Sequence, residues 1–283
     1  MSGPRALRFR QVDVFTRVPF RGNPVAVVLQ GEGLSADEMQ RIAGWTNLSE
    51  TTFVLPPSSG AADYRLRIFT PRAELPFAGH PTLGSAHAVL ETGVAKARSG
   101  VLKQECGAGI LSLEVEGETL WLDSPLATHS EFLELKPLEK ILNSKFKGSP
   151  LIMNVGPRWL VAELADAKAV AAIAPDMPAL AELSNRLSIG GVTVYGPASD
   201  GVAEIHVRSF APAHGILEDP VCGSGNISVA AYLRKAGRGA GGYVARQGMQ
   251  LGRDGRVSIR FDGGRILLGG SAVTCVEGTL HAG

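Results

Sequence analysis

The chain has 283 residues, enough to bury a core in one large domain or in two of ordinary size. Hydrophobic residues make up 45% and charged residues 19%, which excludes a largely disordered chain. The formal net charge of +1 argues against a nucleic-acid or membrane-surface partner, and no apolar run approaches the roughly 20 residues that a spanning helix needs.

Leu7 to Phe15 and Pro24 to Leu29 read as strands joined by a turn containing Arg21-Gly-Asn-Pro. Ser35-Ala-Asp-Glu38 is a capping box, and the helix after it puts Met39, Ile42, Ala43 and Thr46 on one face, ending near Trp45. Asn47-Leu-Ser-Glu50 is a polar link into a strand from Thr51 to Leu55. Asp63 to Phe69 alternates, with Tyr64, Leu66 and Ile68 on one side. After a loop, Gly79-His-Pro81 opens a helix whose first turn suits Pro81 and whose C′ position suits Gly93. Leu83, Ala86, Ala88, Val89 and Leu90 make that helix apolar nearly all round, so it is expected to be buried on every side.

Further strands are expected at Ile110 to Val115, Thr119 to Leu122, Leu151 to Val155 and Trp159 to Glu163. Asp166 to Leu187 is helical in pattern, with breaks expected at Pro175 and Pro178. Gly191 to Tyr195 and Val202 to Phe210 return to strand. Asn226 to Ala236 reads as a second buried helix, with Asn226 as N-cap and Gly237 at C′. Strands at Val257 to Phe261, Ile266 to Leu268 and Ala272 to Val276 close the chain. The 35 glycines agree with many turns between short strands.

A repeat runs through this order. Arg67-Ile-Phe-Thr-Pro71 resembles Arg208-Ser-Phe-Ala-Pro212 at a spacing of 208 − 67 = 141. Ala78-Gly-His-Pro-Thr82 answers Cys222-Gly-Ser-Gly-Asn226 at 222 − 78 = 144. Each copy reads strand, proline-containing loop, glycine turn, buried helix, which points to two similar domains related by a pseudo-twofold. In that arrangement the two helix N-termini are expected to converge on one cleft, and interdomain clefts are favoured ligand sites. The domains are placed at residues 1–127 and 128–283, the last strand being free to return to the first.

Each chemical candidate has a plain structural alternative. Glycine turns before helices usually only make tight connections, but two in matching places would offer two nests of N–H donors to an anion or an enolate-like oxygen. Asp219 either initiates its turn or accepts from a substrate hydroxyl or ammonium. His80 either caps its helix or relays a proton near neutral pH. Cys222 stands at a helix start, where a thiol pKa falls, but its counterpart in the first copy is Ala78. A symmetric two-thiol racemase is therefore excluded, which leaves Cys222 to packing or local donation. Glu50 is by position a surface charge; pointed into an apolar cleft, it would be desolvated toward proton-shuttling range. Gly223-Ser-Gly-Asn-Ile-Ser228 lacks the third glycine of a dinucleotide-binding turn, so that role is set aside.

The assembled motifs resemble the PhzF (phenazine-biosynthesis-like) family over nearly the whole chain. They are Val12-Asp-Val-Phe15 with Phe20-Arg-Gly-Asn-Pro-Val-Ala-Val27, Asn47-Leu-Ser-Glu-Thr-Thr-Phe53, and Ile68-Phe-Thr-Pro71 with Phe77-Ala-Gly-His-Pro-Thr-Leu-Gly84. Glu218-Asp-Pro-Val221 with Gly223-Ser224, and Gln247-Gly248 with Gly252-Arg253, complete the set. The resemblance implies an α+β, diaminopimelate-epimerase-like fold of two domains, each wrapping a curved sheet around a central helix. It implies a cofactor-independent isomerase, usually a homodimer. Glu50 would take a proton from one carbon and return it to another, while Gly79, His80, Asp219, Gly223 and Ser224 surround the substrate. The family commonly has threonine where this chain has Cys222, and related epimerases carry cysteine there.

The expectation is thus a proton-shuttling isomerase of a small carboxylate-bearing substrate, requiring neither cofactor nor metal. No nucleic-acid or membrane partner is expected. Three cysteines (Cys106, Cys222 and Cys275), an odd number without a Cys-x-x-Cys pair, make a disulfide scaffold or structural zinc site unexpected and fit a reducing cytoplasm. The charged Met1 to Arg10 has no apolar stretch behind it, so a secretory signal is not expected. Two alternatives stay open: an amino-acid epimerase using Cys222 with Glu50, and a non-catalytic small-anion binder.

Overall fold

A computed structural model describes residues 5–199 and 201–282. Two compact units divide them: the first runs to Leu122 and resumes at Gly269, and the second runs from Asp123 to Leu268. The first unit holds β1 (Arg5–Val14), β2 (Asn23–Val28), α1 (Ala36–Thr46), β3 (Thr51–Leu55), β4 (Tyr64–Phe69), β5 (Glu74–Leu75), α2 (Gly79–Glu91), β6 (Val101–Cys106), β7 (Gly109–Glu116) and β8 (Thr119–Asp123). The second holds β9 (Thr128–Glu131), α3 (Leu135–Leu142), β10 (Leu151–Asn154), β11 (Arg158–Glu163), α4 (Ala167–Ala172), α5 (Met177–Leu187) and β12 (Gly191–Pro197). It continues with β13 (Ile205–Ala211), β14 (Ile216–Asp219), α6 (Gly223–Lys235), β15 (Gly242–Gln247), β16 (Gly255–Asp262) and β17 (Arg265–Gly270), after which β18 (Ala272–Ala282) returns to the first unit. The return is dictated by pairing: β18 runs antiparallel to the whole of β1, from Arg5 opposite Ala282 to Val14 opposite Ala272. The two compact units meet in sequence at Leu122 and again at Gly269.

In the first unit α2 packs against β1, β2, β3, β4 and β18, so strands surround it. Its residues His80 to Ala86, with Ala88 and Val89, are buried. Gly84 makes the close approach: a Cβ there would lie 2.5 Å from Val25 Cγ1 and 2.8 Å from Val14 Cγ2. Outside this helix, α1 begins on the reciprocal Ser35–Glu38 capping box and ends with Asn47 in the left-handed region. Met39 and Ala43 of α1 join Leu7, Val28, Phe53 and Phe69 in a second apolar cluster. Each of the larger buried side chains, Leu, Val, Met or Phe, contributes about 1.5–3 kcal/mol relative to exposure.

The second unit repeats the scheme, with α6 against β10, β11, β12 and β16. The ladders match one for one. In the first unit β2 is parallel to β3, β3 antiparallel to β4, β4 parallel to β6 and β6 antiparallel to β7. In the second, β11, β12, β13, β15 and β16 pair in that same sequence of senses. The registers coincide: Ala26, Thr51 and Phe69 stand abreast, as do Leu160, Val192 and Phe210 (192 − 51 = 141, 210 − 69 = 141). Even the outer helices correspond, since α1 and α5 are both capped by a side chain, Ser35 and Asp176, and both end on a left-handed residue, Asn47 and Ser188.

Several local expectations change. Helix α6 begins at Gly223 with Cys222 as its N-cap, because Asn226 turns inward to bond Cys222 O and Gln247 Oε1. Pro178 falls in the first turn of α5, where its missing N–H costs nothing, so it starts that helix instead of breaking it. The strongly amphipathic α3, with Leu138 and Leu142 buried, and strands β6, β9 and β14 were not anticipated from periodicity. All are short or interrupted patterns that only pairing and burial stabilise.

Candidate active site

Glu50 lies just before β3, and its carbonyl accepts from Ala26 N at 3.3 Å, so the β2–β3 register fixes its backbone. Its side chain is 15% exposed, far from the surface charge that its sequence position favours. Opposite stands His80, in the first turn of α2, with its Nε2 3.4 Å from Glu50 Oε2. The other ring nitrogen is committed: His80 hydrogen-bonds the backbone of Pro24, which offers only a carbonyl, so Nδ1 is the donor. That leaves an Nε2 lone pair facing a carboxylate oxygen, and among the described residues neither atom has a hydrogen-bond partner. Burial pulls the His80 pKa below its ordinary value, opposed by the charge of Glu50 and by the bond to Pro24. Two buried acceptor atoms thus stand face to face, with no donor from the described residues between them. Pro24, which in the sequence is only part of a turn, is thus what orients His80.

The second unit brings Asp219, Cys222, Gly223 and Ser224 together. Asp219 closes a tight turn, its Oδ1 accepting from Val221 N at 3.0 Å, the structural role weighed for it above. Cys222 Sγ accepts from Gly225 N at 3.3 Å and lies 3.6 Å from Ser224 Oγ. Burial drives the thiol well above its ordinary pKa, with the Asp219 charge adding to it, against the lowering that a helix start alone implies. Cys222 is therefore a neutral thiol at physiological pH and no ready base. Gly79 and Gly223 are the first residues of α2 and α6, positions whose N–H groups have no acceptor within the helix.

Four supporting residues escaped the reading of single motifs. Gln247, fully buried, donates to Asp219 O at 3.0 Å and accepts from Asn226, which in turn donates to Cys222 O at 2.8 Å. Arg208 grips Glu218 with two bonds, at 2.9 and 2.8 Å, and donates to the carbonyls of Val170, Ala171 and Ile173. Its counterpart Arg67 grips Glu74 in the same bidentate way, and both guanidinium groups stack over a phenylalanine, Phe69 and Phe210. Trp159 donates its indole N–H to Ser224 Oγ at 3.0 Å. Only Gln247 and the arginines carried a signal, lying within motifs already noted; Trp159 had none. Among the described residues no group of His, Cys, Asp and Glu could hold a metal ion.

Two units that each wrap strands around a buried central helix are the architecture of the epimerase-like class of fold. The family model described as "Phenazine biosynthesis-like protein" matches residues 12–278, and the chain belongs to that PhzF family. It is 38% identical to antisense-enhancing sequence 1 of Schizosaccharomyces pombe, over 95% of this chain and 97% of that one. It is 33% identical to trans-2,3-dihydro-3-hydroxyanthranilate isomerase of Pseudomonas chlororaphis, with the same coverage of each. A Bacillus anthracis PhzF-family crystal structure superposes with a TM-score of 0.86 at 25% identity, covering 98% of this chain and 99% of that one. The fold is diaminopimelate-epimerase-like, and the chain is an isomerase. No described helix is long and apolar enough to cross a membrane.

Proposed function

We propose that the chain moves a proton between two carbons of a small carboxylate-bearing substrate, with Glu50 as the acid/base. The observation that carries this reading is the Glu50–His80 pair, a carboxylate and an imidazole acceptor facing each other at 3.4 Å, with the other imidazole nitrogen committed to Pro24. In the forward step the Glu50 carboxylate takes a proton from a substrate carbon, and the electron pair left behind delocalises toward the carbonyl or carboxyl oxygen. The protonated Glu50 then returns the proton to a different carbon. Atoms and electrons balance within the substrate, so the reaction itself calls for no redox partner or cofactor. In the first unit the backbone N–H of Gly79 is assigned to charge that develops on oxygen and His80 to substrate binding; in the second, the N–H of Gly223, with Asp219 and Ser224, is assigned the corresponding binding role.

Cys222, as a buried neutral thiol beside Asp219, supports assigning the proton chemistry to Glu50 rather than to an epimerase pair. The proposal extends to a homodimer in a reducing cytoplasm, on the support of the family pattern and of three free cysteines. The test uses the substrate named for the Pseudomonas relative, trans-2,3-dihydro-3-hydroxyanthranilate, in D₂O. Glu50→Gln should cut deuterium incorporation and turnover by about 10²–10⁴-fold. Exchange at the wild-type rate in that variant sinks the assignment.

A further inference from the structure

We propose that Trp159 is a positioning residue that sets the hydrogen-bond direction of Ser224 and so selects a carboxylate over a neutral amide at that place. The inference rests on Ser224 contacting the substrate, as proposed above. A serine hydroxyl has one proton and two acceptor lone pairs, whereas an indole N–H only donates. Because Trp159 Nε1 lies 3.0 Å from Ser224 Oγ, the hydroxyl must accept from it, and its own proton is turned elsewhere. The protein partner nearest to hand is Cys222 Sγ, at 3.6 Å, a weak acceptor already taking the Gly225 N–H. A carboxylate oxygen at the start of α6 would capture that proton far better, adding a charge-assisted bond to the backbone donors there.

The indole is held rigidly enough to do this. Trp159 is 6% exposed, and its ring lies over Gly190 and Gly191. A Cβ on Gly191 would come within 2.9 Å of Trp159 Cζ3 and 2.1 Å of Phe210 O, so the ring occupies space that only glycine leaves free. The register makes the exchange explicit. Gly191 precedes Val192 as Glu50 precedes Thr51, so Gly191 is the counterpart of Glu50 (191 − 50 = 141) and Ser224 that of His80 (224 − 80 = 144). Where the first unit aims an acid at the helix start, the second removes the side chain and aims a fixed donor from the neighbouring strand. One copy is built for proton transfer, its counterpart for anion recognition.

The test measures binding of anthranilate and of anthranilamide, its neutral amide analogue, by calorimetry on wild type, Trp159→Phe, Ser224→Ala and the double variant. Wild type should prefer anthranilate by about tenfold or more. Each single variant should bring that ratio below about threefold, and the double variant should fall no further, since Trp159 acts through Ser224. A wild type without the preference, a Trp159→Phe protein that keeps it, or additive losses in the double variant would each overturn the proposal. Should Trp159→Phe fail to fold, Ser224→Ala still decides, because an unchanged ratio there removes the residue Trp159 acts through. The wild-type indole N–H resonance of Trp159 supplies a further measurement: it should move on adding anthranilate and stay in place with anthranilamide. Glu50→Gln should keep the full preference while losing proton exchange, so that failure of the proton-shuttle reading and failure of this one are told apart.

Discussion

The start of α2 and the start of α6 occupy matching places in two units with the same ladder order, yet they are furnished differently. At the first, Glu50 and His80 confront each other across 3.4 Å, and Pro24 holds the imidazole in one tautomer. At the second, glycine stands in place of the glutamate, and Trp159 and Gln247 brace Ser224 and the Asp219 turn. The backbone scaffold has been kept while the side chains at one place have diverged. A duplicated fold lets this happen cheaply, because the register that aims the residues is independent of what they are. The arginine clamps show the same divergence in degree. Arg208 and Glu218 are 7% and 8% exposed in their side chains, against 27% and 43% for Arg67 and Glu74.

That contrast sets the largest expected effect. Arg208→Ala should cost about 3–5 kcal/mol of unfolding free energy, since it strands a buried carboxylate and three helix-end carbonyls. Arg67→Ala, at a half-exposed pair, should cost about 0–1 kcal/mol. Urea denaturation of both variants at pH 7 gives the comparison, and equal costs would mean that the two clamps are not distinguished by burial. Next in size is Gly191→Ala, which forces a methyl against Phe210 O and the Trp159 ring and should cost about 1–3 kcal/mol. Glu50→Ala, at the corresponding place, should leave the melting temperature unchanged or raise it, because it removes a carboxylate held without a hydrogen-bond partner at Oε2. A melting temperature lowered by several degrees in Glu50→Ala would make Glu50 a structural residue.

The smallest effect is in pH dependence. Burial lowers the His80 pKa, so as pH falls the unfolded chain takes the proton first, near its ordinary value of about 6.5. Stability linked to His80 is therefore complete above that value and is lost as pH falls below it toward the folded pKa. Thermal melts from pH 7.5 downward should show this loss, and His80→Gln should flatten the slope. His87 and His206 are lowered by burial as well, so part of the slope will remain. Ser224→Ala, at the matching place in the second unit, should leave the slope as it is. A slope untouched by His80→Gln would show that the histidine is charged or solvated in the folded chain.

Much of this was legible in the residues. The Ser35–Glu38 capping box, the all-round apolar patterns of α2 and most of α6, and the glycine turns are local signals, and each stands where the sequence places it. The repeat is visible from two pairs of short motifs, but its extent, reaching to α1 and α5 and to the register of the strands between, is not. Strand register involves partners far apart in the chain, and no local pattern encodes it. For the same reason the helix start at Cys222 suggests a lowered thiol pKa, whereas burial raises it, a balance that only the packing reveals.

By itself the amino-acid sequence determined the class of fold, the two buried helices, the glycine turns ahead of them and the asymmetry between Cys222 and Ala78. These follow from periodicity, capping and backbone permissiveness, which act over a few residues. Tertiary structure decided that Glu50 is sheltered beside His80, that Pro24 sets the imidazole tautomer and that Trp159 donates to Ser224. Those facts depend on contacts between residues 30, 56 and 65 positions apart (80 − 50, 80 − 24 and 224 − 159), and only the packing of strands around each helix brings such residues together.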